Sequence, residues 1–342
     1  MTIEQIKDKL KSKEYDFLRT DKNLGNNIII LTLGGSHAYG TNNEGSDLDI
    51  RGCALNSKMQ ILTNENFEQF VNNETDTTIY AFNKLVALLS NTNPNTIEML
   101  GNKPEHYFYV SPIGQELIDN AHLFLSKRAC HSFGGYANQQ LYRLNQKAAH
   151  QMSQSELEKH ILKTLEFMQT DFTKKYTSYE DDSMKLYIDK AVQEGYDTEI
   201  FMDVKLHHYP LRDYCSMWNE LQNTVRQYGK IGKRNEKAIE HGKIAKHSMH
   251  LIRLYMMCLD ILEKERIITY REDEHDLLMD IRNGKYLDGN DQPISEFFEM
   301  VNDYEKRLDY AKKNTSLPDN PNYKAINEFV ASVNERVVKG EI

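Results

Sequence analysis

The stretch from Leu31 to Gly52, LTLGGSHAYGTNNEGSDLDIRG, limits what this chain can fold into more than any other. Three β-branched residues, Ile28-Ile29-Ile30, stand ahead of it behind Asn26-Asn27 and predict a short buried strand. The strand runs into Gly34-Gly35-Ser36, where small residues permit a tight turn and a close backbone approach to a ligand. His37-Ala38-Tyr39 reads as a helical turn, and Gly40 to Gly45 as a loop. Ser46-Asp47-Leu48-Asp49-Ile50-Arg51 alternates polar and apolar residues and predicts a second strand.

Residues i and i+2 of a strand point to the same face, so Asp47 and Asp49 are expected side by side. Like charges that close call for a cation between them. Magnesium is the expected partner, with manganese as the alternative, because such ions take carboxylate oxygens and share their other positions with water and phosphates. Gly34, Gly35 and Ser36 offer backbone N–H groups and a hydroxyl to the β- and γ-phosphates of a nucleotide. A phosphate turn and a carboxylate pair are the minimum equipment for nucleotidyl transfer by a two-metal route. The competing reading is an exposed glycine-rich turn followed by a solvated acidic strand end.

Gly35-Ser36, ten intervening residues and then Asp47-Leu48-Asp49-Ile50 resemble the signature of the DNA polymerase β-type nucleotidyltransferase superfamily. The fuller string, GSHAYG followed by SDLDIRG, is similar to one branch, the RNA-repair-pathway DNA polymerase β-like predicted nucleotidyltransferases. The resemblance implies an α+β fold: a small mixed β-sheet nucleotidyltransferase core with flanking helices, followed by a larger all-helical region. It also implies a third metal carboxylate on a neighbouring strand. Asp76, opening the β-rich run Asp76-Thr77-Thr78-Ile79-Tyr80, is the best placed candidate, with Glu74 in reserve. Asp47, Asp49 and Asp76 are thus the expected metal and catalytic residues. Asn93-Pro94-Asn95 through Leu100 resembles the same family, and its Glu98 is either a polar contact in the cleft or a surface acid. Lys84 stands where the family tends to be basic, although a surface lysine is the simpler reading.

The chain has 342 residues, room for one large domain or two smaller ones at roughly 100–200 residues each. A net charge of −9 argues against nucleic-acid binding over the whole surface, so any such binding must use a local patch. The cysteines, Cys53, Cys130, Cys215 and Cys258, have no paired spacing, which excludes a zinc signature and points to a reducing compartment. The N-terminal segment is charged and amphipathic, without the apolar run of a signal peptide. No run approaches the ~20 apolar residues that span a bilayer, so a cytoplasmic protein without membrane partners is expected.

Helices are predicted at 3–18, with Ile3, Ile6 and Leu10 on one face, and from Phe82, where Leu85, Val86 and Leu89 complete an apolar stripe. Residues 56–73 read as irregular. From about 112 onward helical patterns take over: 112–125, 127–149, 154–175, 180–194, 211–228, 235–264, 273–283, 294–313 and 321–338. The expected division is a polymerase β-like palm domain over 1–110 and a helical domain over 111–342. Lys246, His250 and Arg253 lie at i, i+4 and i+7 on one helix face, either a phosphate-binding face toward the cleft or a solvated basic face. Arg253 has a third reading, a structural pair with a helix carboxylate. Residues 246–254, and more weakly 271–284 and 317–323, also resemble the family, although Arg271 and Arg282-Asn283-Gly284 take no chemistry from it. Arg143 and His150 have the spacing of some helical ribonuclease motifs, with chance spacing the simpler reading, and the Tyr- and Lys-rich segment 174–179 is either a single-stranded nucleic-acid contact or an exposed helix end.

The leading expectation is a magnesium-dependent nucleotidyltransferase. It transfers a nucleoside monophosphate from a nucleoside triphosphate to an acceptor hydroxyl and releases pyrophosphate. RNA is the preferred acceptor because the resemblance implies it. Two alternatives stand beside it: a catalytically silent nucleotide- or RNA-binding protein on the same fold, and transfer to a protein or small molecule.

Overall fold

The structure, a computed structural model, describes residues 1–134, 137, 158–159, 161–166, 183–192, 198–229, 243–289 and 293–342. The chain divides into two compact units. The first joins Met1–Gln140 to Ser248–Lys285 and Ser295–Ile342, and the second joins Leu141–His247 to Tyr286–Ile294. The change of character near residue 110 is therefore a change of secondary-structure type. The C-terminal helices belong to the same compact unit as the sheet.

In the first unit, strands β1 (Ile28–Leu33), β2 (Ile50–Ala54), β3 (Gln69–Asn72), β4 (Thr77–Ala81) and β5 (Tyr107–Val110) form one sheet in the order β3-β4-β2-β1-β5. All pairs are antiparallel except β2 with β4, so the sheet is mixed as expected. All six residues of β1 are buried, as befits a central strand covered on both faces. One face carries Leu31, Leu33, Ile50, Ala54, Ile79 and Ala81, packed with Ile6, Leu10 and Leu18 of the N-terminal segment. The other face carries Ile30 and Cys53, covered by Phe82, Leu85, Val86 and Leu89 of helix Phe82–Ser90. Leu254, Met257 and Cys258 of helix Lys243–Leu259 and Ile326 and Val333 of helix Tyr323–Lys339 join that second cluster. The apolar stripe predicted from Phe82 is the buried one, which is why this helix lies flat on the sheet.

Several expectations need correction. The first helix stops at Leu10, and a separate short turn, Phe17–Thr20, follows. Residues 56–73 are not irregular: a capping box at Ser57 and Gln60 starts a helix over Lys58–Leu62, and β3 follows at the sheet edge. Within the helix predicted over 180–194, the described residues 183–192 are not helical. Met184–Lys190 is strand β6, paired antiparallel with β7 (Thr198–Val204), so the region after residue 110 is not all-helical. The hairpin is two-sided and partly exposed, and its run Leu186-Tyr187-Ile188 follows β propensity rather than helical period. In the second unit Met184 of β6 packs with Ile161, Leu165, Met217 and Leu221, the last two from helix Leu211–Gly229.

Helices Ser295–Asn314 and Tyr323–Lys339 lie within a residue or two of their predicted spans. Helix Lys243–Leu259 continues into one wider π-type turn over Asp260–Lys264. Arg143, His150 and segment 174–179 fall outside the described residues. Among the described residues no helix is long and apolar enough to cross a membrane.

Candidate active site

The site lies where β1 ends, β2 begins and the turn before β4 meets them. β2 starts only at Ile50, so Asp47 and Asp49 precede the strand and strand alternation does not govern them. Asp47 is solvent-exposed and makes no contact with another acid of the site among the described residues. The acid pair that the fold builds is instead Asp49 with Asp76. β2 and β4 run parallel with Ile50 opposite Thr77, which places the two residues just before them at the same sheet end. Ile50 N–H donates to Asp76 O at 3.2 Å, and the Asp49 and Asp76 carboxyls share the guanidinium of Arg51. Asp76 sits in the turn before β4 rather than in the strand, with φ +44°, a conformation that Asp tolerates better than most residues. Glu74 is exposed and takes no part.

Arg51 lies between the two acids. Its Nη2 donates to Asp49 Oδ1 at 3.0 Å and to Asp76 Oδ1 at 3.2 Å. Its Nη1 donates to the carbonyls of Asp76, at 2.6 Å, and Ile50, at 3.1 Å. Asp49 and Arg51 flank Ile50, the first residue of β2, and their side chains pair with each other across it. Burial pushes the Asp49 carboxyl up to about 7, its contact with Asp76 adds to the rise, and Arg51 opposes it. Burial works against the Arg51 charge, but the Asp49 and Asp76 carboxylates outweigh it and raise its pKa.

The glycine turn abuts this cluster. A Cβ on Gly35, whose φ is +56°, would lie 1.8 Å from Asp49 Oδ2, and one on Gly34 would lie 2.7 Å from Arg51 Cγ. The close approach predicted for these glycines is thus made first to the acid cluster itself. Gly34 N–H donates to Asp49 O at 2.9 Å and is spent on holding the turn, so it offers nothing to a phosphate. Ser36, in the helical turn Gly35–Tyr39, is half-buried, and its hydroxyl has no partner among the described residues.

Beneath the turn lies a buried polar layer. Tyr39 donates its hydroxyl to Glu98 Oε2 at 2.5 Å, and Thr269 donates its hydroxyl to Glu98 O at 2.6 Å. Glu98 is therefore neither a surface acid nor an open cleft contact. Burial raises its carboxyl, against the pull of Arg253. Arg253 is 1% exposed and donates through Nη1 to Glu98 Oε2 at 3.4 Å and through Nη2 to His250 Nδ1 at 3.0 Å. Arg253 is thus paired with an acid in the interior, in line with its third reading, and His250 is its neighbour in the same network. Lys246 is exposed one helical turn before His250. Lys84 pairs with Glu68 at 2.9 Å on the surface, as the simpler reading had it. Arg282, which carried no chemistry in the sequence, donates to Ser46 Oγ at 3.0 Å and so ties down the loop that leads to Asp47.

Among the described residues no group of three or more His, Cys, Asp or Glu side chains stands ready to hold a metal ion. Asp49 and Asp76 nevertheless form a donor set of hard oxygens, already gathered around one cation, which suits a divalent ion completed by phosphate oxygens and water. Arg51, Tyr39 and the burial of Glu98 were not anticipated. The closeness of Arg51 to Asp49 in the sequence was the one signal that pointed to any of them.

A sequence model described as the RNA repair pathway DNA polymerase beta family matches residues 5–179, just over half of the chain. The match includes the glycine turn, the acid cluster and Glu98, and stops before the resemblances read at 246–254, 271–284 and 317–323. No curated protein and no solved structure matches the chain.

Proposed function

Because this chain belongs to the RNA repair pathway DNA polymerase beta family, whose members are polymerase β-like nucleotidyltransferases, we propose that it is a metal-dependent enzyme moving a nucleoside monophosphate from a nucleoside triphosphate to an acceptor hydroxyl. RNA is the acceptor that the family description favours. The observation that carries the reading is the close approach of Gly35, the residue before Ser36, to Asp49, which Arg51 joins to Asp76.

Each group then has a role. Ser36 donates its hydroxyl to a phosphate oxygen. Asp49 and Asp76 hold the divalent ion, magnesium or manganese. When bound there, such an ion neutralises the charge that develops on the transferring phosphate and makes the acceptor hydroxyl easier to deprotonate. Before an ion arrives, Arg51 keeps the two acids at one place. The buried Tyr39–Glu98–Arg253 layer anchors the helical turn that carries Ser36, because Tyr39 ends that turn. Asp47, exposed two residues before Asp49, is the further carboxylate this reading assigns to the ion.

The test is label transfer. Pure protein with each α-labelled nucleoside triphosphate, magnesium or manganese, and total RNA should transfer label to RNA and release pyrophosphate. The Asp49→Asn variant should do neither. Nucleotide binding by the wild type without transfer to RNA, protein or small molecules would leave a silent binding protein instead.

A further inference from the structure

We propose that Arg51 is a resident cation that must give up Asp49 and Asp76 before a divalent ion can bind, and that it then turns to the triphosphate. The inference rests on the reading of Asp49 and Asp76 as metal-holding carboxylates. Both salt bridges of Arg51 end on the Oδ1 atoms that face the space between the acids, and both come from one nitrogen, Nη2. An ion that takes those oxygens must displace that nitrogen. The other nitrogen, Nη1, is anchored on backbone carbonyls of Asp76 and Ile50, which do not change on metal binding. The stem of Arg51 is wedged under Gly34, so the guanidinium has little freedom beyond a pivot.

Two carboxylates in contact with one guanidinium carry one surplus negative charge when both are ionised. A divalent ion alone gains the acids but leaves Arg51, whose own side chain is four-fifths buried, without its counter-ions. A divalent ion arriving with a triphosphate supplies new oxygens for Nη2. A guanidinium suits that exchange because its planar fork binds carboxylates and phosphates alike. Metal and triphosphate should therefore bind with positive coupling, and the coupling should run through Arg51. A purely structural Arg51 makes the opposite prediction. If it only pins the positive-φ turn at Asp76, its removal loosens the acids and weakens metal binding.

The sign of one change in affinity separates the two. Manganese alone is titrated into the full chain by calorimetry, for wild type, Arg51→Gln and Arg51→Lys, and again with inorganic tripolyphosphate present. Arg51→Gln should bind manganese alone at least tenfold tighter than wild type. The enhancement of manganese affinity by tripolyphosphate, present in wild type, should fall at least tenfold. Arg51→Lys, which keeps a cation but not the fork, should lie between. Should Arg51→Gln show no cooperative melting transition, the Arg51→Lys comparison decides by the same sign. Equal or weaker manganese binding in a folded variant overturns the inference. If wild type binds no manganese–tripolyphosphate while the variant gains manganese affinity, the resident cation stands and the nucleotidyltransferase reading falls. If wild type binds the pair and the variant gains nothing, the reading stands and this inference falls.

Discussion

The guanidinium of Arg253 lies 3.6 Å above the ring of Tyr39, and the hydroxyl of that ring donates to Glu98, the acid that Arg253 also pairs with. Three side chains from distant parts of the chain so close a buried triangle directly under the glycine turn. A cation–π contact of this kind is worth ~2 kcal/mol or more when desolvated, and the ion pair adds to it.

Arg253→Ala leaves the Glu98 carboxylate uncompensated in the interior. The expected cost is about 3–5 kcal/mol, read as a lower melting temperature and an earlier denaturant midpoint. Affinity for triphosphate in the remaining folded protein should change little. Arg253→Lys should also destabilise, because an ammonium cannot stack on Tyr39 and reach His250 at once. Loss of affinity at an unchanged melting temperature would return Arg253 to the substrate site.

The acid cluster makes stability depend on pH in an unusual direction. Asp49 titrates near 7 when folded against an ordinary value of 3.8. Between about pH 4 and 7 the folded protein holds a proton that the unfolded chain has released. Stability therefore falls as pH rises through that window and levels off above it. Asp49→Asn removes this slope. Without metal, the variant should match wild type near pH 4 and exceed it at pH 8 by on the order of 1–3 kcal/mol. Thermal melts at the two pH values decide it, and a variant less stable at pH 8 would reverse the sign.

Asp76→Ala should lower turnover far more than triphosphate affinity, because the acid acts on the charge that develops in the transition state. Glu74→Ala should leave both within twofold, since Glu74 faces solvent. Steady-state kinetics beside equilibrium binding would expose an exchange of roles between the two acids.

Gly35→Ala meets two obstacles at once, a positive φ and an Asp49 oxygen 1.8 Å from the new Cβ. Either the turn or the acid must move. The variant should lose roughly 2 kcal/mol or more of stability and at least tenfold in manganese affinity. Gly45→Ala is the control, because its Cβ would find only Asn43 Oδ1 at 3.9 Å. It should stay within about 0.5 kcal/mol of wild type.

Short-range physics made much of this protein legible in its sequence. Ile28–Leu33 announces a buried strand through β-branched residues, and Phe82, Leu85, Val86 and Leu89 announce a buried helix face through their spacing. Gly34-Gly35-Ser36 announces a turn that tolerates no side chain, and the turn with its acidic strand points to the family. These signals are local, since the period of a strand or helix is set within a few residues of backbone. What only the tertiary structure decided is which groups meet. Residues 184–190 became a strand because a partner strand was available to take their backbone groups. Asp49 pairs with Asp76 rather than Asp47 because β2 begins only at Ile50, past both Asp47 and Asp49, and β4 runs parallel beside it. Arg253 is buried because Glu98 and Tyr39, some 150 and 210 positions away in the chain, are brought beneath the same turn. Burial and Coulomb attraction depend on distance in space, and distance along the chain does not reveal it.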